Sequence, residues 1–486
     1  MERTAAFTFQ DAVAQMAQCQ LGHRRRTDRL VDSTRRIGLH PGGTLPEKLQ
    51  DPAAYRATLR LMNQPAVTHR AILQPHIQAT LERLRRTPTT VLIVHDIVEL
   101  DYSNQATLDA MGQIGNGGGR GYECHNALAV DPQSGELIGL VCQQLHNRAR
   151  KPAGEGVAAG RDRDSRESLL WVNAARQIGP APAGCHWVDV CDRGADTFEF
   201  LEHELRQGRH FVIRSTHSRA LEVQSEGRPH RLHDLLRSLP PRLGWTVAVA
   251  ANKGQPARTA RVLCAWAEVA LKPPQVRRGR HGREPLVVWA LRVWEVDAPA
   301  GVTEPLEWLL LTDEAIADGG AARQRVGYYE RRPRVEDYHK AQKTGLGIER
   351  LQLQSQAGLQ PTIALLSVLA VALVNAREAA RDEAKAGRPA TDYFEPLGVR
   401  VLSVWRYGEA RPLTVREYIL SLGRLGGHLN RKCDGLPGWL TLWRGAMQLN
   451  AMVDYERRRS GAEAAATKIP RPSPAPPSSR PSIGQL

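Results

Sequence analysis

Cysteine pairs at metal-binding spacing are missing from this sequence. Its 486 residues include seven cysteines, an odd number, scattered along the chain without any CxxC pair. Disulfide frameworks and structural zinc sites usually need such pairing. The pattern therefore argues against a disulfide framework and against a zinc site, and it is typical of a reducing cytoplasm. The seven are Cys19, Cys124, Cys142, Cys185, Cys191, Cys264 and Cys433.

Long hydrophobic runs are also scarce. The longest, from Ile363 to Val374, is well short of the roughly 20 residues needed to cross a bilayer, so it predicts a buried helix. The first ten residues, MERTAAFTFQ, lack the apolar core of a secretory signal. We therefore expect a cytoplasmic protein with no membrane partner.

The chain carries a strong excess of positive charge. Its formal net charge is +15 and its isoelectric point is about 9.8, with arginine supplying most of the excess. A basic balance of this size favours a polyanionic partner, with nucleic acid ahead of an anionic membrane. Length and the 42% hydrophobic content suit two to four domains, at about 100–200 residues each.

One stretch, Tyr329 to Lys343, carries an unusual set of side chains. Arg332 and Glu336 are four residues apart, while Tyr329 and Lys343 each lie seven residues from Glu336. Such spacings place side chains on one face of a helix, which Pro333 is expected to begin. A carboxylate between cations can hold a divalent ion, and the cations can grip a phosphate. The alternative is a solvated helix face with ordinary ion pairs.

Two aspartates follow predicted buried strands. Asp96 ends the apolar run Val91 to Val94, and Asp192 lies between the strand starting at His186 and a helix. Burying a carboxylate is costly unless it is paired or binds metal, and α/β sheets place ligands at strand ends. The rival acids are Glu99 and Asp101, expected to be exposed, Asp189, inside its strand, and Asp196, a candidate helix N-cap.

The flanking segments predict further domains. Residues 1–88 are helical, with Arg25, Arg26 and Arg29 on a basic surface that suits either a DNA-end reader or a plain helical cap. Residues 217–325 predict a β-strand insertion within a catalytic domain at 89–360. The insertion has an arginine-rich tip around Arg277 to Arg283, which suits contacts to a DNA backbone. Residues 361–468 are again helical, and the Pro/Ser-rich tail at 469–486 is expected to be disordered.

Together these motifs resemble bacterial cut-and-paste insertion-sequence transposases of the DDE type. Tyr329, Arg332, Glu336 and Lys343 match the Y-(2)-R-(3)-E-(6)-K signature of that family. The similarity runs from about residue 8 to 455. The other segments that support the similarity are VLIVHDIVELDYSNQ, VDVCDRGAD, WLLLT at Trp308, HKAQKTGLGIER and SLGRLGGHLNRKCDGLPGWLTLWRG. The meander of three strands followed by helix, strand, helix and strand is similar to the ribonuclease-H-like fold, an α/β class with a mixed sheet.

The resemblance implies a chemistry and a set of partners. Asp96, Asp192 and Glu336 would hold Mg²⁺, for which Mn²⁺ can substitute, and cut DNA at transposon ends before strand transfer into target DNA. Tyr329, Arg332 and Lys343 would contact phosphates, and Trp308 would stack on a flipped base. The N-terminal helices would bind inverted-repeat ends and the C-terminal helices would dimerise, so that each subunit binds one end and cuts the other, in a bacterial nucleoid-associated complex.

Two questions stay open at this point. Many relatives carry Trp directly after the signature arginine, where this chain has Pro333, which bears on whether the ends pass through hairpins. The sequence also leaves two alternatives to an active transposase. One is a DNA-binding relative or inhibitor that no longer cuts, and the other is a metal-dependent nuclease without strand transfer.

Overall fold

The computed structural model combines helices with one large mixed sheet. It describes residues 7–105, 107–108, 111–148, 166–222, 230–249, 257–275, 280–299, 301–302, 304–431 and 434–466, the last six by their backbone alone. The predicted tail at 469–486 lies outside the described residues, as do Arg277 and Arg278 of the predicted arginine-rich tip.

In the part of the chain that the structure describes, five helices precede the sheet. The last of them is continuous through Pro75 and is capped by the Thr68 side chain, which accepts a hydrogen bond from the Ala71 N–H. Thr68 therefore settles that the helix begins before the proline rather than at it. The five are α1 (Phe9–Met16), α2 (Arg24–Leu39), α3 (Leu45–Leu49), α4 (Pro52–Met62) and α5 (His69–Arg85).

Ten strands form the sheet. They are β1 (Thr90–Asp101), β2 (Gly112–Gln113), β3 (Arg120–Val130), β4 (Leu137–His146), β5 (His186–Cys191), β6 (His210–Arg214), β7 (Leu243–Val249), β8 (Arg258–Leu271), β9 (Leu286–Val296) and β10 (Glu307–Thr312). Their order is β2-β3-β1-β5-β6-β10-β9-β8-β7, and β4 also pairs with β3. Strands β1, β5 and β6 are parallel neighbours, and the other pairs are antiparallel.

Strands β7 to β10 continue the main sheet. Antiparallel pairing joins β10 to β6, with Leu310 opposite Arg214 and Thr312 opposite Val212. The pairing covers an edge of β6 that would otherwise expose unpaired backbone groups. The β segment expected at 217–325 therefore widens the sheet on the far side of β5 and β6.

Three helices lie among the strands and seven follow them in the described chain. The first three are α6 (Leu170–Ile178), α7 (Phe198–Arg206) and α8 (Leu232–Ser238). The others are α9 (Gly319–Tyr329), α10 (Pro333–Lys340), α11 (Gln356–Ala379), α12 (Glu383–Ala386), α13 (Pro396–Tyr407), α14 (Val415–Leu425) and α15 (Trp439–Ala466). A π-helical turn, Ala341–Gly345, extends α10.

Helix α11 is the central helix of the core. It contacts α1, α4, α5 and β4, and it is longer than the apolar run in the sequence suggests. By length and composition alone it could cross a membrane, but 83% of its most apolar stretch is buried within the protein. Its apolar side chains are thus buried against neighbouring elements of the protein, which agrees with the expected buried helix.

Candidate active site

Asp96 lies inside β1, not at its end as the sequence suggested, because the strand continues past the apolar run to Asp101. Asp192 directly follows β5, and the two aspartates hold equivalent register positions on neighbouring parallel strands. The last pair between β1 and β5 joins Val94 to Val190, and each aspartate comes two residues after its valine. Side chains two residues apart point to the same face of a sheet, and adjacent strands lie about 4.8 Å apart. The register therefore directs both carboxylates to one place beside α10.

The guanidinium of Arg332 joins these aspartates to Glu336. Its Nη2 lies 3.0 Å from Asp96 Oδ1 and 3.7 Å from Asp192 Oδ2, while its Nη1 donates to Glu336 Oε1 at 2.6 Å. Pro333 is the first residue of α10, which places Glu336 in the first helical turn. Three acids from distant parts of the sequence thus surround one cation.

The environment of Asp96 shows how much negative charge is concentrated here. Burial raises the pKa of Asp96 to about 6, Arg332 opposes the rise, and Asp192 and Glu336 add to it. A carboxyl group whose pKa is raised by burial and by neighbouring carboxylates gains from any additional positive charge. The arrangement therefore favours a cation in addition to Arg332.

The donor set matches a hard divalent cation by its chemistry. In this conformation the oxygens of the three acids do not all lie within 4.8 Å of one another, and the Arg332 guanidinium lies between them. Asp96, Asp192 and Glu336 offer only carboxylate oxygens, the ligands that Mg²⁺ and Mn²⁺ prefer. The Glu336 side chain is 47% exposed and Asp192 is 32% exposed, so both can be reached from solvent. These three residues are the ones that would hold the ions.

A tight turn fixes Asp192 after β5. Its Oδ1 accepts a hydrogen bond from the Gly194 N–H at 2.9 Å, at the start of the short turn Arg193–Ala195. A Cβ on Gly194 would come within 2.5 Å of the buried Trp171 ring. Glycine at this position therefore lets the turn pack against Trp171 and hold the aspartate in place.

His339 also faces the site, and sequence reasoning missed it. Its Nδ1 lies 3.7 Å from Asp96 Oδ2, and its Nε2 accepts a hydrogen bond from the Asn126 amide at 3.1 Å. Burial, together with Arg332 and Lys343, lowers the pKa of His339 to about 3, so the ring is neutral. Its position three residues after Glu336, on the same helix face, was the available signal.

Asn126 connects this histidine to the N-terminal helices. It is the cross-strand partner of Asp96, and its Oδ1 accepts from Gln143 at 2.7 Å. The other end of the Gln143 amide pairs with His69 of α5 at 3.0 Å. A continuous line of buried polar groups therefore runs from α5 to Asp96.

Trp308 and Tyr329 lie side by side, and Tyr329 is close enough to Arg332 and Asp192 for their charges to affect its pKa. Their ring centroids are 5.4 Å apart with an interplanar angle of 65°, an edge-to-face contact. Tyr329 ends α9 and is buried, and burial raises the pKa of its hydroxyl while Arg214 and Arg332 oppose the rise. Trp308 is half-buried in β10, so one part of its ring packs on the core and another remains accessible.

Lys343 is set apart from the three acids in this conformation. It lies in the π-helical turn after α10, and its Nζ pairs with Glu349 Oε1 at 2.9 Å. Glu349 also accepts a hydrogen bond from the Asp101 N–H, at the end of β1. The lysine is therefore held near the end of β1 by a carboxylate that is not one of the three.

The rival aspartates have structural partners. Asp189 is fully buried and pairs with Arg209 and His95, each at 2.6 Å. Asp196 does not cap the following helix as the sequence suggested, since Thr197 accepts the capping hydrogen bond from Phe200. Asp196 instead accepts from the 215–219 loop, including Arg219 at 2.6 Å. Glu99 and Asp101 are exposed, as expected.

The three N-terminal arginines differ in how they are held. Arg25 in the first turn of α2 is exposed. Arg26 donates to the Leu21 carbonyl at 3.0 Å and to Gln64 Oε1 at 3.1 Å, and Arg29 pairs with Asp32 at 2.9 Å. Of the three, Arg25 is the most available to a DNA phosphate.

Two comparisons with known proteins bear on this chain. Residues 11–67, which span α1 to α4, match the family model described as "Transposase DNA-binding". Among solved structures, a piggyBac transposase synaptic complex with hairpin DNA is similar over 97% of this chain and 76% of that chain. The sequence identity is 11% and the TM-score is 0.29, and similarity this low carries no argument about fold or function.

Proposed function

We propose that this protein is a DNA transposase that cuts DNA at transposon ends and joins them to target DNA. The observation that carries the proposal is the convergence of Asp96, Asp192 and Glu336 around Arg332. The match of residues 11–67 to a transposase DNA-binding family supports it independently. The strongly basic chain suits a DNA partner as well.

The sheet topology supports a ribonuclease-H-like catalytic core. The meander β4-β3-β1 is followed by the parallel strands β5 and β6, and α6 and α7 lie between successive strands. Asp96 and Asp192 come from the central neighbours β1 and β5. The two aspartates lie just beyond the point where the parallel pairing of β1 with β5 stops, which suits a site open to a long DNA backbone.

Two divalent ions, Mg²⁺ or Mn²⁺, would polarise the attacked phosphate and activate the attacking oxygen. Asp96, Asp192 and Glu336 are the residues that would hold them. With water as the attacking group, the site would nick DNA and leave a 3′-hydroxyl. With that 3′-hydroxyl as the attacking group, the same site would join the end to target DNA.

Arg332 would change partners during this process. Without ions its single positive charge offsets part of the charge of the three carboxylates, and with ions bound it would be free for a phosphate near the cut. Lys343 would make the same exchange from Glu349 to phosphate, and the Tyr329 hydroxyl would donate a hydrogen bond there. The cations would thus keep the acidic site stable before DNA arrives.

Trp308 would receive a base flipped from the transposon end. An aromatic face is a sequence-tolerant stacking platform for an unpaired base. The half-buried ring is held by Tyr329, so it needs little ordering on binding. Flipping of this kind would support a route through hairpin ends.

The assembly would be a homodimer on DNA within the bacterial cytoplasm. Helices α1 to α5, with Arg25, Arg26 and Arg29, would bind the inverted-repeat ends. The C-terminal helices would dimerise, and large apolar side chains exposed there support such a contact. They are Val404, Trp405, Tyr407, Leu440 and Tyr455.

A nicking and joining assay tests the proposal. The substrate is a duplex ending in the inverted repeats read from the DNA that flanks the gene, with a target plasmid present. Wild type with Mg²⁺ should nick the end and form joined products, and Asp192→Ala should do neither. Glu99→Gln, at an exposed acid on the same strand as Asp96, is the matched control and should retain activity.

Three results would contradict the proposal in distinct ways. Asp192→Ala activity equal to wild type would remove the site. Nicking without joined products would leave a nuclease. Specific end binding without any Mg²⁺-dependent nicking would leave a DNA-binding relative or inhibitor that does not cut.

A further inference from the structure

A second cluster of metal-ligating side chains lies at the opposite end of β5. His186 is the first residue of β5, His210 is the first residue of β6, and Glu314 follows β10. One ligand atom from each lies within 4.8 Å of the others. Two ligands of one zinc ion are at most about 4 Å apart, so adjustments of about 1 Å would close the cluster around an ion.

Both histidines are oriented through their second ring nitrogen. His186 Nδ1 lies 2.9 Å from Thr90 Oγ1, which leaves Nε2 directed at Glu314 Oε1, 3.1 Å away. His210 Nδ1 lies 2.8 Å from Asp313 Oδ2, which leaves its Nε2 for a ligand. A metal-binding histidine usually gives its other ring nitrogen to a carboxylate or hydroxyl in this way.

The carboxylate has an unused oxygen. Glu314 Oε1 accepts from His186 and from Arg325 Nη2, at 3.1 and 3.0 Å, while Oε2 is buried without a hydrogen-bond partner among the described residues. A buried carboxylate oxygen left unpaired is costly, and a metal ion at this point would remove that cost. The Glu314 oxygen and the two imidazoles then supply three ligands.

The charges around the cluster allow a dication. Glu314 and Asp313 contribute two negative charges, and Arg325 on α9 contributes one positive charge against Glu314. The Arg325 contact uses Oε1, so it does not block Oε2. The side chains of His186 and His210 are 31% and 37% exposed, which gives an ion and a water molecule access.

We propose that His186, His210 and Glu314 form a binding site for a transition-metal dication, and that the ion bound there is Zn²⁺. Two imidazoles and one carboxylate form a zinc ligand set in which water completes the tetrahedron. Mg²⁺ and Ca²⁺ prefer oxygen ligands, so this site and the three acids select different metals. The cysteine pattern argued against a zinc site, but this one uses no cysteine.

The site would hold three inner strands of the sheet together at one end. It joins the beginnings of β5 and β6 to the end of β10, so it would clamp the widened part of the sheet to the central strands. Asp192 follows the other end of β5, about 20 Å away along the strand at about 3.3 Å per residue. The inference does not depend on the proposed reaction at the three acids.

Zinc binding to the full chain tests this inference without any DNA. Calorimetric titration with Zn²⁺ alone, in buffer with excess Mg²⁺ to saturate the carboxylate site, should show one bound ion in wild type. His186→Gln and His210→Gln should each weaken binding by about tenfold or more. Asp313→Asn keeps the ligands but disturbs the orientation of His210, and should weaken binding about 10–100-fold.

Three control variants identify the site. Asp192→Ala should bind Zn²⁺ as wild type does, which separates this site from the three acids. His230→Gln, at an exposed histidine outside the cluster, and Cys185→Ser, at the thiol next to His186, should also leave binding unchanged. Co²⁺ in place of Zn²⁺ should give a visible spectrum without a thiolate charge-transfer band.

The inference is overturned if wild type fails to bind Zn²⁺ under these conditions. It is equally overturned if His210→Gln and Asp313→Asn both bind as tightly as wild type. Loss of binding in Cys185→Ser would assign the ion to a thiol and would also overturn it. Circular dichroism of each metal-free variant shows whether it is folded. If a histidine variant is unfolded, the Zn²⁺ affinity of Asp313→Asn decides whether the site exists.

Discussion

Arg332 Nη2 lies 3.0 Å from Asp96 Oδ1, so the cation of the helix signature neutralises an acid in the middle of the central strand β1. The same guanidinium reaches Asp192 and Glu336. In this conformation it takes the place in the charge balance that divalent ions would take. The contact links metal binding to phosphate binding, because Arg332 cannot fully serve both the acids and DNA.

Removing Arg332 should therefore have opposite effects on metal and on catalysis. Without DNA, Arg332→Ala should bind Mn²⁺ about tenfold more tightly than wild type, since the carboxylates lose a competing cation. End cleavage should fall, since the phosphate loses its guanidinium. Electron paramagnetic resonance of free Mn²⁺ measures the first effect, and the nicking assay measures the second.

Arg331→Ala is the matched control for that pair of measurements. Arg331 donates to the carbonyls of Pro132 and Gln133 and has no contact with the three acids among the described interactions. It should leave Mn²⁺ affinity unchanged. Equal or weaker Mn²⁺ binding in Arg332→Ala than in wild type would contradict the competition between arginine and ion.

Trp308→Ala should weaken the complex with transposon ends by about 1–3 kcal/mol, the usual contribution of one stacked base. A 2-aminopurine placed next to the cut should fluoresce more strongly in the Trp308→Ala complex, because the flipped base loses its stacking partner. Trp294→Ala serves as the control, since Trp294 on β9 is also half-buried and packs under Arg292. An unchanged 2-aminopurine signal in Trp308→Ala would argue against base stacking there.

Alanine variants of Arg25 and Arg26 should separate an effect on DNA binding from an effect on folding stability. Arg25→Ala should reduce the salt dependence of end binding by about one counterion and leave thermal stability unchanged, because its side chain is exposed. Arg26→Ala should lower the free energy of unfolding by about 1–2 kcal/mol, through loss of its bonds to Leu21 and Gln64. Salt titrations and thermal melts of both variants measure these effects. A loss of stability in Arg25→Ala together with unchanged stability in Arg26→Ala would contradict the assignment.

His76 should make the protein sensitive to acid. It joins α5 to α1 and β4, with its Nδ1 2.7 Å from Gln15 Oε1 and its Nε2 accepting from the Leu140 N–H at 2.9 Å. Burial, and then Arg83, lower its pKa from 6.5 to about 3. Below pH 6.5 this histidine binds a proton in the unfolded chain but stays neutral in the folded chain.

The free energy of unfolding should therefore fall as pH drops from about 6.5 towards 3, by up to about 1.4 kcal/mol per pH unit from this group. Urea unfolding of wild type and His76→Gln at several pH values measures the difference. The variant is less stable near neutral pH and should lose this part of the slope. His230→Gln, which removes an exposed histidine, should keep it.

Local sequence patterns indicated which acids to consider, but they did not indicate which residues surround those acids. Asp96 and Asp192 were recognisable because each follows a β-branched apolar run, and Glu336 because of its spacing from Arg332 and Lys343. Their assignment as metal ligands stays a prediction, and so does the division into domains at 1–88, 89–360 and 361–468. The large mixed sheet of an α/β protein, in contrast, is confirmed.

The rest depended on contacts that no local pattern contains. Strand β10 pairs with β6 across almost a hundred residues, and hydrophobic periodicity does not specify such a partner. His339 was missed because the two residues it faces, Asp96 and Asn126, lie on strands far from it in the sequence. Asp196 resembled a helix cap in the sequence, but a loop some twenty residues later uses its oxygens.

The most direct test is a crystal of the complex with cleaved transposon-end DNA, soaked in Mn²⁺ and measured at the manganese absorption edge. We expect anomalous peaks in contact with Asp96, Asp192 and Glu336, with the Arg332 guanidinium turned from the acids to a DNA phosphate. Arg332 still bridging the three acids, with manganese bound elsewhere or only to the solvent-exposed acids Glu99 and Asp101, would contradict the account.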